Sequence, residues 1–281
     1  MVHRILMLRR AEWGRGKPSI EGERERLLGH LTDPDERLLG ARVLDLAGKA
    51  YAEDKPQATG FLDPRQRDVA EGVLRAVEGV RWVAVGGLPG AERRRIVIYP
   101  DYFPQEAVEA PLAAVEITGP GVSELRHGDV LGAILGAGVE RDQVGDIVLA
   151  GDRWQVLVTP QLAEFLCTHL RRAGRVEVSV RLIDPEQVEA PAARVKEIRA
   201  TVASPRLDAV ASLAFGTSRT KMARDIRAER VKVNWKVVSD PAASVKEGDV
   251  ISMRGRGRAV VERLSGLTRK GRSGITLKRY F

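Results

Sequence analysis

Between residues 218 and 236 the sequence runs SRTKMARDIRAERVKVNWK, with Lys221, Arg224 and Arg227 at intervals of three. At about 100° per residue on a helix these three cations span an arc of about 120°. Met222, Ala223 and Ile226 fall on the other side. A helix that buries one side and turns three cations outward binds anions through charge alone. Thr217 and Ser218 are candidates to cap it. The following VKVNWKVV (231–238) alternates as a strand does, with Asn234 where a tight turn belongs. The turn tip carries Trp235 between Lys232 and Lys236, an apolar ring in a cationic setting. Further on, Arg254, Arg256 and Arg258 form an alternating basic run.

The charge is local to this part of the chain. The 281 residues carry 46 Lys/Arg and 38 Asp/Glu, net +8. Residues 206–281 hold 18 of the former and 7 of the latter, net +11, so 28 and 31 remain before them, net −3. A patterned apolar sequence with that excess predicts a folded basic domain built for a polyanion. Membrane spans are not expected, because no apolar run approaches ~18 residues. The single cysteine, Cys167, rules out an intrachain disulfide. With no secretory signal read at the N-terminus, a cytoplasmic protein is expected.

The elements that position these residues fall into three modules, an α+β organisation. After an extension at 1–20, residues 21–105 read as an α+β domain. Asp33–Pro34 and Asp63–Pro64 open helices, and RWVAVGG and RRRIVIYP are strands around a glycine-rich turn. Residues 108–184 read β-α-β-β-α-β, the order of ferredoxin-like and RRM-like folds. Trp154 is the one aromatic of its third strand, and no RNP-type motif stands there. A structural or protein-contact role fits this sheet as well as RNA binding does. Residues 185–203 read as a linker leading into a strand, and 204–281 as the basic domain. In that domain Leu207, Val210, Ala211 and Ala214 share a helix face, and Gly216 ends the helix.

The basic domain resembles the S4 RNA-binding (alpha-L) domain. The matching residues are Arg206-Leu207-Asp208, Ser218-Arg219, Ala223, Ile226, Val231, Val233-Asn234, Val238, Val245, Gly248-Asp249 and Ile251. Trp235 departs from the pattern, which has glycine there. VNWK, with GDVLGAILGAGVERDQVGDI and TGFLDPRQR, is similar to the YlmH family and to its relatives, the photosystem II S4 domain proteins. The resemblance covers residues 21–281. It implies an N-terminal α+β domain, an RRM-like middle domain and a C-terminal S4 domain. It also implies ribosome-linked binding of structured RNA, ribosomal or transfer, in translation or the rescue of stalled nascent chains. DNA and membrane are not expected as partners. RNA contacts are then expected at Arg206, Ser218, Arg219, Lys221, Arg224, Arg227, Lys232, Asn234, Trp235, Lys236, Arg254, Arg256 and Arg258. Trp235 has two readings: it stacks on an unpaired base, or it folds back over its own hairpin.

Catalysis is not expected, and neither a metal nor another cofactor is called for. His3, His30, His127 and His169 are scattered, and Cys167 and His169 face different sides of one helix. GGLPG at 86–90 reads as a hairpin turn, and GRGK at 14–17 lacks phosphate-loop spacing. The competing reading is an RNA-modifying enzyme with an unrecognised site in residues 21–183. A pocket of perturbed acids there would favour it.

Overall fold

The structure is a computed structural model that describes residues 20–190, 195–253, 255–267 and 272–280. They form two compact units that part between residues 191 and 192.

The first unit begins with helices α1 (Ile20–Leu28), α2 (Pro34–Glu53) and α3 (Pro64–Leu74). They pack on a three-stranded antiparallel sheet of β1 (Gln57–Ala58), β2 (Val80–Val85) and β3 (Arg95–Pro100), in the order β1-β3-β2. The two Asp-Pro pairs act as expected. The Asp33 carboxylate accepts from the amides of Asp35 and Glu36, and Asp63 forms a reciprocal capping box with Gln66. Val43, Leu44, Ala47, Val73, Leu74, Ile96 and Ile98 are fully buried between helices and sheet.

Four strands follow: β4 (Ala113–Thr118), β5 (Val144–Ala150), β6 (Arg153–Val158) and β9 (Ser179–Ile183). The two-stranded hairpin β7 (Arg172–Ala173) and β8 (Val176–Glu177) sits just before β9 and was not anticipated. The sheet order is β5-β6-β4-β9 with every pair antiparallel, the arrangement two interlocked β-α-β units require. Helices α4 (His127–Gly136) and α5 (Pro160–His169) cover one face. There Val115, Ile117, Val156 and Val158 meet Val130, Ile134, Leu162 and Leu166. Trp154 points the same way and donates its indole N–H to Val122 O at 3.0 Å.

The second face of this sheet is covered too. Phe61, fully buried, packs with Ala114, Val148 and Leu157, joined by Leu88, Leu112, Ile183 and Val188. A Cβ on Gly145 would come within 2.6 Å of the Phe61 ring, and one on Gly87 within 2.5 Å of Leu157. Gly87 also has φ +81°, so glycine is required there on two counts. The GGLPG turn between β2 and β3 is thus the piece of the first sheet that lies over the second. Polar groups close the seam. Asp146 accepts from the Glu92 and Arg93 amides at 2.7 and 3.0 Å. Arg93 donates to Val144 O and Phe61 O, and Arg95 to Thr59 O and Pro111 O. Burial pushes the Asp146 carboxyl above, and the Arg93 and Arg95 guanidiniums below, their ordinary values. Burial, with Arg93 nearby, brings Arg141 down to about 10.

The second unit is one antiparallel sheet in the order β10-β15-β14-β13-β11-β12. Its strands are β10 (Val195–Val202), β11 (Val231–Val233), β12 (Lys236–Val237), β13 (Val250–Met253), β14 (Gly257–Leu267) and β15 (Ser273–Tyr280). β10 begins inside the segment read as a linker and pairs with β15 along its full length. Helices α6 (Leu207–Phe215) and α7 (Arg219–Arg227) share the core with Val231, Ile251, Ala259, Val261 and Leu277.

Candidate nucleic-acid interface

Gly216, at φ 59°, ends α6 in the left-handed region and lets the chain reverse within two residues. Ser218 then caps α7, its hydroxyl oxygen accepting from the Lys221 amide at 3.3 Å. Met222 and Ile226 anchor the helix in the core, fully buried. Lys221, Arg224 and Arg227 stand exposed, and among the described residues none of them pairs with a carboxylate. The helix thus presents three uncompensated cations on one arc. Arg224 and Arg227 also lie in its last turn, where the backbone dipole favours cations.

Arg219 and Arg206 are held differently. Both reach the buried Asp208, Arg219 to Oδ1 at 3.1 Å and Arg206 to Oδ2 at 2.9 Å. Burial alone would push the Asp208 carboxyl up. The hydrogen bonds from Arg206 and Arg219 outweigh it and hold the carboxyl below its usual range. Each guanidinium keeps over a third of its side chain exposed. A pinned guanidinium has less freedom to lose on meeting a phosphate, but part of its charge is already spent on Asp208. A second buried acid, Asp225, is met by Arg230 at 3.2 Å. From the sequence, Asp208 stood out only as part of the S4 pattern, not as a buried partner of Arg206 and Arg219, and Asp225 not at all. The signal was there: an acid on an apolar helix face next to arginines.

The hairpin tip is a two-residue loop. Val233 pairs with Lys236, leaving Asn234 and Trp235 at φ 50° and 63°. Two positive values in a row are those of a type I′ turn, which suits the twist of a hairpin. Asn tolerates that region, whereas a bulky residue there costs about 1–2 kcal/mol. Asn234, expected at the RNA interface, is occupied by the fold. Its Oδ1 accepts from the Val250 amide at 2.9 Å, and its Nδ2 donates to Asp249 at 2.8 Å. The side chain clasps the turn to β13. Trp235 is half-buried at the tip.

The remaining expected residues divide between two surfaces. Lys232 faces Ser252, and Ser252 faces Arg258, in one row across β11, β13 and β14. Their neighbours Val231, Ile251 and Ala259 point into the core shared with α6 and α7, so Lys232 and Arg258 lie on the opposite face of the sheet. Arg258 is half-buried 5.1 Å over the Tyr280 ring, and burial pushes its guanidinium down. Arg256 is half-buried and donates to Phe215 O at 3.1 Å. Lys236 is exposed on β12. Arg254 lies outside the described residues.

Three of the perturbed groups of the first unit, Asp146, Arg93 and Arg141, are built into its seam. Asp146 is bonded to backbone amides, and Arg93 and Arg141 to backbone carbonyls. Among the described residues no group of three or more His, Cys, Asp or Glu side chains could hold a metal ion, and no helix is long and apolar enough to cross a membrane.

Comparison with known proteins gives three family-model matches. They are "YlmH, N-terminal" over residues 36–103, "Putative RNA-binding domain in YlmH" over 108–187, and "S4 domain" over 205–251. The chain is 34% identical over 249 residues to the Ribosome-associated protein quality control protein P2 of Bacillus subtilis, covering 87% of this chain and 95% of that protein. Over 70 residues it is 41% identical to the Small ribosomal subunit protein uS4 of Desulfotalea psychrophila, 24% of this chain and 33% of that one. Among solved structures, the Cell division protein ylmH from Streptococcus pneumoniae matches with a TM-score of 0.47 and 24% identity, covering 56% of this chain and 96% of that chain.

Proposed function

The chain belongs to the YlmH family, and from that premise we propose that it is a non-enzymatic RNA-binding protein of the ribosome. It binds ribosomal or transfer RNA on the large subunit and acts in translation or in quality control of stalled nascent chains. It works in the cytoplasm. The observation that carries this reading is the arc of Lys221, Arg224 and Arg227 on α7, exposed and unmatched by carboxylates among the described residues. Phosphates supply what the fold leaves unpaired there, and their counterions are released on contact. Arg206 and Arg219, held by Asp208, add two oriented guanidiniums to the contact. The name of the Bacillus relative and the S4 match support the ribosomal setting.

The test is binding of the full chain to purified large ribosomal subunits and to transfer RNA over a salt series. An Arg224→Ala/Arg227→Ala variant should bind both more weakly. Its slope of log affinity against log salt should be shallower by about 1.4–1.8, two phosphates' worth. Equal affinity and equal slope for parent and variant would overturn the reading.

A further inference from the structure

We propose that the β7–β8 hairpin of the first unit is a second contact for the RNA phosphate backbone, remote in sequence from the S4 domain. The proposal takes from the preceding section only that the protein's polyanion is RNA.

The hairpin is a rigid mount. Ala173 is fully buried, Val178 is buried, and the Val178 amide donates to Arg171 O at 2.9 Å. Gly174, at φ 58°, makes the tight tip, with Arg175 beside it. From this mount Arg171, Arg172 and Arg175 project as exposed side chains, three guanidiniums within five residues. A concave pocket of about 460 Å³ lies against it, lined by Gly119, Pro120, Arg171, Arg172, Val178 and Ser179, with Glu177 as the acidic residue of the lining. Arg171 is oriented from behind, donating to Cys167 O at 3.0 Å at the end of α5.

Pairing makes the cluster informative. In this unit Arg24, Arg26, Arg37, Arg65, Arg153 and Arg181 each have a carboxylate partner, while Arg42, Arg81 and Arg126 are exposed without one among the described residues but stand singly. Arg171, Arg172 and Arg175 have none among the described residues, Glu177 included. The sequence up to residue 205 is net −3, so unpaired arginines gathered on one hairpin run against its average. The hollow is open, so a backbone phosphate can reach it, and planar guanidinium forks match phosphate oxygens two at a time. Ser179 adds a hydroxyl. The sheet face that an RRM-like module would offer to RNA is partly filled by Phe61 and Leu88, and the arginines on it, Arg153 and Arg181, are tied to Glu116, whereas the hairpin gathers arginines with no carboxylate partner among the described residues. A weak contact here gains force because the S4 domain is tethered to it on the same chain.

The experiment uses the full chain, a thiouridine-labelled transcript of large-subunit ribosomal RNA, and two variants, Arg172→Ala/Arg175→Ala and Arg224→Ala/Arg227→Ala. Arg171 is left in place because it also caps α5. Cross-linked peptides are mapped and the salt slope measured, with melting curves confirming that each variant folds. The parent should cross-link through residues 171–179 as well as through the S4 domain. The hairpin variant should lose the first set, keep the second, and show a slope shallower by about 1.4–1.8. Cross-links confined to the S4 domain, with an unchanged slope for the hairpin variant, would overturn the proposal and leave the α7 reading standing. An acidic protein as the true partner would give that same result. Loss of binding in the hairpin variant alone would overturn the α7 reading and support this one.

Discussion

Arginines on the middle sheet and arginines on α7 have opposite fates. On the sheet, Arg153 and Arg181 close on the buried Glu116, at 2.9 and 2.5 Å. Burial alone would push that carboxyl up, but Arg181 and Gln155 hold it below its ordinary value. The same face is sealed by Phe61 at its other end. On α7, Arg224 and Arg227 face solvent with no acid in reach among the described residues. The difference teaches that a group of basic residues points to a binding surface more strongly where folding has left most of its charge unanswered. Counting arginines would rank the two surfaces alike.

The largest effect expected is on the sealed sheet. Phe61→Ala empties a fully buried site between two sheets and should cost about 3–5 kcal/mol of stability in denaturant melts. RNA affinity per folded molecule should not change. A fall in that affinity would break the division between a structural and a binding surface.

Asp208→Asn tests the one place where the two roles meet. It removes a buried charge held by two guanidiniums and should cost about 2 kcal/mol at neutral pH. The carboxyl's folded value lies below the unfolded one. Its stabilisation is therefore fully present above the ordinary carboxylate value and is lost as pH falls through the folded value. The variant should lose that share of the acid-side slope in melts taken across the acid range. If the slope is unchanged, Asp208 is not the clamp described.

Trp235 separates stacking from packing. If the ring stacks on a base, Trp235→Ala should cost about 1–3 kcal/mol of binding to RNA with an unpaired base at the contact, with the salt slope nearly unchanged. Trp235→Gly should cost the same binding while raising the melting temperature, because glycine suits the positive φ. A packing role predicts lower melting temperatures for both variants and unaltered affinity. The smallest expected effect is Arg24→Ala, which breaks an exposed pair with Asp45. It should change stability by no more than ~1 kcal/mol and RNA binding not at all.

Much of this was legible beforehand, for reasons local to the chain. Asp33 and Asp63 act as caps within three residues of themselves, and the Met222/Ile226 stripe is set by helical period. The order of the middle sheet followed from the alternation of its elements. What stayed hidden depends on distant partners. Phe61 gives no sign that its socket is Gly145, and Asn234 reads as a turn residue without showing that β13 will occupy both ends of its amide. β14 was obscured because Arg256 and Arg258 read as free cations, although Ala259 and Val261 carry the inward parity of a strand. The hairpin of Arg171, Arg172 and Arg175 stayed hidden because its first two arginines read as the end of the preceding helix, which stops at His169, and residues 176–183 read as one strand.

The pairing of β10 with β15 has a consequence for how this protein is made. Val195 lies opposite Tyr280, and Val202 opposite Ser273. The first strand of the second unit is synthesised well before its neighbour exists, so its edge must wait. Closing so long a loop is slow compared with forming the local α6–α7 pair. The first unit, whose described pairings are all complete before β10 begins, can fold while translation continues. The sheet of the second unit closes only after residue 280 has left the ribosome that made it.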